Sequence, residues 1–340
     1  MPDVDPPGAG ACVTTVEMHV GGEPVRIVTG GYPQPRGATL LDKRRDARAR
    51  LDGWRRFLMA EPRGHAGMRG ALLVAPDLPE ADLAVLFLHH AGYPSMCGHA
   101  VLALGRHAVA HGLVPRRRPV TELAIQCPCG LVRVAVEPAT AAVRYVGVPA
   151  CALLREAVVL TRRFGPVTLD LGYGGACHGV LAAAELGLDL AASPLAALVE
   201  AAMAVHEAAT AQLTLSHPEV AELAVLDGII LTDGGDGSRN GTSTHVRVSA
   251  DGRVERSPGG SDVAARLALL HRRGAVATGA TQHFRGLAGT GLTGKVVAVT
   301  RAGPHPAVLV ELGGHAHLTG EARLTLEAGD LPASGGPRHR

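Results

Sequence analysis

The chain has 340 residues, 46% hydrophobic but only 3% aromatic, so it is long enough for two domains with aliphatic cores. Lysine and arginine (33) nearly balance aspartate and glutamate (31), and no basic block with interleaved aromatic residues occurs, which argues against nucleic acid as a partner. The apolar stretch 181–213 contains charged residues that a membrane-spanning helix rarely tolerates, and the N-terminus lacks the pattern of a secretory signal. We therefore expect a soluble, cytoplasmic protein that does not bind membranes.

The first half is predicted to consist of short strands around one helix. The helix is an apolar segment of helical period that follows Cys97 and ends at Gly112. Pro149 is the predicted boundary with the second half. The predicted strands lie within residues 12–30, which include a turn at 21–24, and at residues 71–74, 83–88, 123–126, 131–136 and 143–148.

The second half is predicted to repeat this order. A second apolar segment of helical period follows Gly259 and ends at Gly274, and a longer helix is expected at residues 194–213. The predicted strands lie within residues 158–180 and at residues 229–231, 246–248, 296–300, 308–312 and 322–326.

The expected fold is therefore α+β, with two similar domains and an active-site cleft between them. The predicted domains are residues 12–149, which carry Cys97, and residues 150–327, which carry Gly259. Residues 1–11 and 328–340 are rich in proline, glycine and charge, and we expect loose termini there.

A short motif precedes the helix in both halves, but only one copy contains a thiol. Ser95-Met96-Cys97-Gly98-His99-Ala100 corresponds to Ser257-Pro258-Gly259-Gly260-Ser261-Asp262. A helix N-terminus presents unpaired N–H groups and a partial positive charge, which attract a carboxylate and favour a thiolate. Cys97 is therefore a candidate base beside a bound carboxylate. The alternative is a small buried hydrophobic residue at the start of a helix.

The remaining cysteines and the histidines do not indicate a metal site. Six cysteines are scattered through a long chain, so we expect reduced thiols rather than a disulfide framework. Cys127-Pro128-Cys129 has one residue between its thiols, whereas zinc knuckles and redox motifs have two, and we interpret it as a turn. Five histidines are candidate ligands by residue type but have no H-E-x-x-H or C-x-x-C companion: His89, His90, His271, His315 and His317.

Longer motifs resemble the proline racemase family from about residue 14 to residue 326. They are Met18-His19-Val20-Gly21-Gly22-Glu23-Pro24, Glu61-Pro62-Arg63-Gly64-His65, and residues 96–100, 228–233 and 256–261. Within the family, the chain is most similar to the trans-3-hydroxy-L-proline dehydratases. The resemblance implies a diaminopimelate-epimerase-like fold, in which each of two pseudo-symmetric halves has a central helix wrapped by strands. It also implies a homodimer that needs no cofactor.

The resemblance further implies roles for individual residues. The cysteine that matches Cys97 is an acid/base, and the backbone at Gly98-His99 and at Gly260-Ser261 binds the substrate carboxylate. The residue that matches Glu255 is normally aspartate and contacts the ring nitrogen. Position 259 is cysteine in racemases and epimerases and threonine in the dehydratases. Because Gly259 has no side chain that donates a proton, a racemase is the poorest fit.

Other departures from the family pattern lie near these residues. Asp262 replaces a glycine, and its side chain turns either inward, where it would repel the substrate carboxylate, or outward, where it would favour the helix N-terminus. Cys177-His178 and Leu292 stand where aromatic residues are common.

Three hypotheses remain for the function. The first is a hydro-lyase that dehydrates trans-3-hydroxy-L-proline, with Cys97 as the base and a pyrroline-2-carboxylate as the product. The second is a catalytically silent homologue that binds a small amino acid or a protein partner. The third, 4-hydroxyproline epimerase, is disfavoured by Gly259.

Overall fold

The structure, a computed structural model, describes residues 7–217, 220–235 and 241–330. The chain divides into two compact units, one containing the residues up to Val143 together with those from His315 onward, the other containing Arg144–Gly314. The sequence assigns residues 315–327 to the second domain, but they belong to the first unit because the last strand pairs with the first one. None of the described helices is both long and apolar enough to span a membrane.

The first unit contains strands and three helices among its described residues. Its elements are β1 (Cys12–Val20), β2 (Glu23–Gly30), α1 (Leu40–Arg50), α2 (Asp52–Met59), β3 (Arg69–Val74), β4 (Leu83–His89), α3 (Gly98–Ala110), β5 (Thr121–Cys127) and β6 (Gly130–Glu137). The next strand, β7 (Ala142–Val146), crosses the boundary to the second unit.

The second unit has the same mixture of elements. They are β8 (Ala150–Thr161), β9 (Gly165–Tyr173), β10 (Cys177–Ala182), α4 (Leu195–Gln212), β11 (Leu226–Thr232), β12 (Thr242–Ser249), α5 (Gly260–Arg272), β13 (Thr281–Arg285), β14 (Gly291–Ala302) and the first part of β15 (His305–Thr325). That first part pairs with β14 and β8, whereas the last part of β15 pairs with β1 in the first unit.

The order of strand pairing is the same in both units. From β1 to β6 the successive pairs are antiparallel, parallel, antiparallel, parallel and antiparallel, and the pairs from β9 to β14 repeat this order. A parallel pair needs a crossover connection, and the helices lie in these connections. Thus α3 connects β4 to β5, and α5 connects β12 to β13. The predicted duplication is confirmed at the level of topology.

The helices α3 and α5 form the centres of their units. All but two of the 13 residues in each helix are buried, and each helix packs against several strands of its own unit. A helix that is buried on all sides belongs in a core. The prediction of one central helix wrapped by strands in each half is therefore confirmed.

Both central helices end in the same way. Gly112 and Gly274 follow the last turns with φ of 68° and 73°, a backbone conformation that glycine adopts without steric cost. In α3, the N–H of Leu113 donates to the carbonyl of Ala108 at 2.9 Å. In α5, the N–H of Ala275 donates to the carbonyl of Leu270 at the same distance. The two glycines predicted to close the helices are therefore C-terminal caps.

Two helices, α1 and α2, are absent from the elements predicted above. Most of α1 is charged and only Leu40 and Ala47 of it are buried, so that its apolar period is weak. The N-terminal cap of α1 is a signal that could have predicted this helix. The Thr39 hydroxyl accepts the N–H of Asp42, and the Asp42 carboxylate accepts the N–H of Thr39.

Candidate active site

Cys97 is the residue that begins α3. It occupies the N-cap position with extended backbone (φ −147°, ψ 98°), and its carbonyl accepts the N–H of Val101 at 3.0 Å. The side chain is buried, with 6% of its surface exposed. Among the described residues, its thiol makes no capping hydrogen bond, and the first turn of α3 contains no acidic residue. The positive end of this helix is therefore not balanced by a carboxylate from its own first turn.

Two other thiols of the first unit lie at the turn between β5 and β6. Burial raises the pKa of Cys127 well above its usual range, and Cys129 and Cys97 raise it further. Burial raises the pKa of Cys129 to about 12. Both thiols therefore stay protonated at neutral pH. The prediction that Cys127-Pro128-Cys129 forms a turn is confirmed, and all six cysteines, each a described residue, are free thiols.

Gly259 begins α5 at the position equivalent to that of Cys97 in α3. Its backbone is also extended (φ −78°, ψ 155°), and its carbonyl accepts the N–H of Val263 at 3.0 Å. Its own N–H donates to Oδ2 of Asp262 at 2.8 Å. Asp262 thus turns back to cap the helix N-terminus, and it is fully buried rather than exposed to solvent.

The carboxylate of Asp262 fills the space beside Gly259. A Cβ atom placed on Gly259 would lie 2.8 Å from Oδ2, 3.1 Å from Cγ and 3.2 Å from Oδ1 of Asp262. Separations this short require one of the groups to move. The absence of a side chain at residue 259 and the presence of a carboxylate at residue 262 are therefore linked by packing.

Arg247 of β12 holds the acidic residues near the start of α5. Its guanidinium contacts the carboxylates of Asp227 and Glu255, and its Nε lies 3.7 Å from Oδ1 of Asp262. Glu255, which the family resemblance assigns to the ring nitrogen of the substrate, is thus paired with an arginine and nearly buried. A buried carboxylate requires such a partner.

His178 of β10 contacts the same helix end. Its Nε2 lies 3.1 Å from Oγ of Ser261 and 3.5 Å from Oδ1 of Asp262, and the ring is completely buried. The hydroxyl of Ser261 also donates to Oδ1 of Asp262 at 3.3 Å. His178, which stands where the family resemblance leads us to expect an aromatic residue, is therefore in direct contact with Asp262, which stands where it leads us to expect glycine.

The charge states at this helix end follow from burial and pairing. Burial opposes ionisation of Asp262, but Arg247, His178, His245 and the N–H of Gly259 outweigh it and hold the pKa below its usual range. Burial lowers the pKa of His178, which Asp262 only partly offsets. The start of α5 therefore carries an ionised carboxylate beside a neutral histidine at neutral pH.

A second polar cluster ties α5 to β12 and to the residue that follows β11. Arg266 is fully buried in α5 and donates to Oγ of Ser243 at 2.8 Å and to Nδ1 of His245 at 2.9 Å. Ser243 in turn donates to Asp233, the last residue of the motif at 228–233, at 2.9 Å. The sequence analysis missed Arg266, although an arginine inside an apolar helical segment is itself a signal of a buried polar partner.

Within each unit, the structure brings together the residues singled out by the sequence. Cys97, Gly98 and His99 form the start of α3, and His99 is buried with 1% of its surface exposed. In the second unit, residues 259–261 form the start of α5, and Glu255 reaches the same cluster through Arg247. Sequence reasoning missed Arg247, which lies in an ordinary alternating strand and has no motif around it.

Comparison with known proteins gives a consistent result for sequence and fold. A family model described as "Proline racemase" matches residues 15–336. A "Trans-L-3-hydroxyproline dehydratase" of Bos taurus is 47% identical over 338 residues, which cover 97% of this chain and 95% of that protein. A "Trans-3-hydroxy-L-proline dehydratase" of Homo sapiens is 46% identical over 339 residues, covering 97% of this chain and 96% of that protein.

A solved structure has the same fold. It is the crystal structure of a "probable proline racemase" from Agrobacterium radiobacter K84 with bound carbonate, and it superposes with a TM-score of 0.88. The two chains are 26% identical, and the superposition covers 95% of this chain and 96% of that one.

Proposed function

Because the chain belongs to the proline racemase family, we propose that it dehydrates trans-3-hydroxy-L-proline to a pyrroline-2-carboxylate and water. Relatives named for this reaction are 46–47% identical over 97% of the chain, which favours an active hydro-lyase over a silent homologue. The mechanism rests on one observation, which is that Cys97 lies at the N-terminus of α3.

Cys97 is the proposed base. Its thiolate removes the proton from C2 of the substrate, and the electron pair of that bond forms a double bond between C2 and C3. The bond from C3 to its hydroxyl oxygen breaks, and the departing hydroxide takes a proton from solvent and leaves as water. Cys97 then returns its proton to solvent. The enamine product tautomerises to the cyclic imine without help from the protein.

The first turn of α3 is the proposed binding place for the substrate carboxylate. The N–H groups of Gly98 and His99 lie in that turn, where the helix end favours negative charge. A carboxylate there places the neighbouring C2 close to the thiol of Cys97. Residues Gly260 and Ser261, with Glu255, complete the proposed substrate site.

The start of α5 disfavours racemisation. A racemase needs a second acid on the opposite face of C2, and Gly259 has no side chain to supply one. Asp262 occupies the adjacent space, but as an ionised carboxylate it has no proton to donate. One-sided proton removal followed by elimination needs only the thiol as base and a proton from solvent for the departing hydroxyl.

The test is direct incubation of the purified protein with trans-3-hydroxy-L-proline. We expect an imine that an amine reagent traps and that forms in proportion to enzyme concentration. A protein that binds pyrrole-2-carboxylate, a flat mimic of the deprotonated ring, but forms no imine would be the silent homologue. Release of D-configured 4-hydroxyproline from the L-form would indicate an epimerase.

Family resemblance supports a cytoplasmic homodimer that works without cofactor. Light scattering of the purified protein tests the dimer, and activity after exhaustive dialysis against a chelator tests the independence from metal.

A further inference from the structure

Three histidines of the first unit share one face of the sheet where β1 pairs with the last part of β15. His19 of β1 lies directly opposite His317 of β15 in the antiparallel register. Their rings stack, with centroids 5.0 Å apart and an angle of 24° between the ring planes. His315 precedes His317 by two residues in the same strand, so its side chain points to the same face. These three residues form the histidine cluster of β1 and β15.

The spacing within the histidine cluster suits a metal ion bound by imidazoles. Directly opposite residues of an antiparallel pair have Cβ atoms about 5 Å apart, and alternate residues of one strand lie about 6.7 Å apart. Zn²⁺ binds imidazole nitrogens at about 2.0–2.1 Å, and three histidines with water in the fourth position form a known type of zinc site. Rotation about the side-chain bonds therefore lets two histidines of one strand and one of its neighbour reach a common ion.

The rings are accessible and in the protonation state that binds a metal. His315 and His317 are exposed and His19 is half-buried, so an ion reaches them from solvent. Partial burial, followed by the neighbouring His19, Arg106 and His315, lowers the pKa of His317. The ring of His317 is therefore neutral at pH 7, and the neutral imidazole is the form that binds metal.

Two contacts oppose an ion in the histidine cluster and set an upper limit on its affinity. The main-chain N–H of Gly22 donates to Nδ1 of His19 at 3.3 Å, which is longer than most hydrogen bonds, so this contact is weak. Arg106 of α3 donates to the carbonyl of Ala316, and its positive charge repels a cation. We therefore expect affinity in the micromolar range, weaker than that of zinc fingers.

We propose that His19, His315 and His317 bind one divalent transition-metal ion of the kind that prefers imidazole ligands, such as Zn²⁺. The proposal is independent of the proposed reaction, which needs only a thiol and solvent. The ion joins β1 to the part of β15 that belongs to the first unit, and it stabilises this strand pair. No spacing in the sequence reveals the site, because the pairing of β1 with β15 brings together opposite ends of the chain.

Isothermal titration calorimetry of the purified protein with zinc chloride tests the proposal. We expect one Zn²⁺ ion to bind per chain at the histidine cluster, and the affinity to fall at least about tenfold in His317→Gln. Mg²⁺, which prefers oxygen ligands, should not bind there. Equal zinc affinity in His317→Gln and the wild type would overturn the proposal.

The matched control is His111→Gln. His107 and His111 are another close pair of histidines in the first unit, with ring centroids 4.3 Å apart, but His107 is buried in α3. An ion would have to lose its water and enter the core to reach this pair, so the control should keep the zinc affinity of the wild type. A loss as large as that in His317→Gln would show that zinc does not select the histidine cluster, and would overturn the proposal.

A measurement on the wild type covers the case in which His317→Gln does not fold. Diethyl pyrocarbonate modifies accessible histidine rings, and peptide mapping measures the rate at each one. With Zn²⁺ at about ten times its dissociation constant, modification of His19, His315 and His317 should slow about tenfold. His283, at an exposed position of β13, should react at the same rate with and without zinc. Equal slowing at His283, or no slowing at the three histidines, would overturn the proposal.

Discussion

The main-chain N–H of Gly259 donates a hydrogen bond of 2.8 Å to the carboxylate of Asp262, and that carboxylate occupies the space that a side chain at residue 259 would need. Gly259 and Asp262, which both differ from the residues that the family resemblance implies, therefore form one structural feature. His178 and Arg247 lie next to the same carboxylate, so the feature is supported by its neighbours. The place beside Gly259 is therefore filled by a buried carboxylate.

We predict that Cys97→Ala abolishes both imine formation and the exchange of the substrate C2 proton in heavy water, because both need the thiolate. Mass spectrometry of recovered substrate measures the exchange. Cys151→Ala is the control, since Cys151 is a buried thiol of the second unit whose pKa burial raises to about 11. Wild-type turnover in Cys97→Ala would show that another group is the base.

Pyrrole-2-carboxylate should slow the alkylation of Cys97 by iodoacetamide. In the proposed site the ligand carboxylate lies at the first turn of α3 and covers Cys97, a residue that is only 6% exposed without ligand. Peptide mapping measures the labelling of each cysteine. Cys12, which is partly exposed in β1, is the internal reference and should label at the same rate with and without ligand. Equal labelling of Cys97 under saturating ligand would contradict the proposed site.

Gly259→Thr should destabilise the protein instead of improving it. By the family resemblance, threonine stands at this position in the dehydratases, so the sequence alone suggests a gain of activity. In the structure, the added Cβ comes within 2.8 Å of the Asp262 carboxylate and displaces it from its buried partners, which costs about 1–3 kcal/mol of unfolding free energy. Urea unfolding measures this cost.

The matched variant for this prediction combines Gly259→Thr with Asp262→Gly. Removing the carboxylate relieves the collision, so the two substitutions should be strongly non-additive, and dehydration should be higher in the double variant than in Gly259→Thr. Additive effects on stability would show that residues 259 and 262 do not compete for the same space.

The stability of the protein should fall between pH 6.5 and pH 4 partly because of His245. Burial lowers its pKa to about 4, and its Nδ1 accepts a hydrogen bond from Arg266, which requires the neutral ring. In this pH range the unfolded chain binds a proton that the folded chain does not, so stability decreases as the pH falls. One such group contributes at most about 1.4 kcal/mol per pH unit.

Replacement of His245 by glutamine tests this pH dependence, because the amide can still accept from Arg266. Urea unfolding at pH 7, 6, 5 and 4 should give a smaller decrease for His245→Gln than for the wild type. His283→Gln, at an exposed position of β13, should follow the wild-type curve. Identical curves for His245→Gln and wild type would exclude His245 as a source of the acid sensitivity.

Local sequence patterns were sufficient to predict much of the fold and the residues at the starts of α3 and α5. The helical period after Cys97 and after Gly259, with a glycine past each end, predicted α3 and α5, because these signals report the conformation of consecutive residues. Local patterns did not reveal α1, whose exposed surface leaves little apolar period. They also did not reveal that β15 continues to Thr325 and pairs with β1, some 300 residues earlier in the chain.

The sequence by itself determined that Gly259 lacks the group that Cys97 has and that Asp262 stands at a helix start, since both follow from the alignment of two short motifs. Only the tertiary structure decided where the Asp262 carboxylate lies and what surrounds it. Its partners come from β10 and β12, at residues 178 and 247, and no local rule connects those positions to α5. Backbone preferences act between near neighbours in the chain, whereas the burial and pairing of a charge depend on which distant strands pack around it.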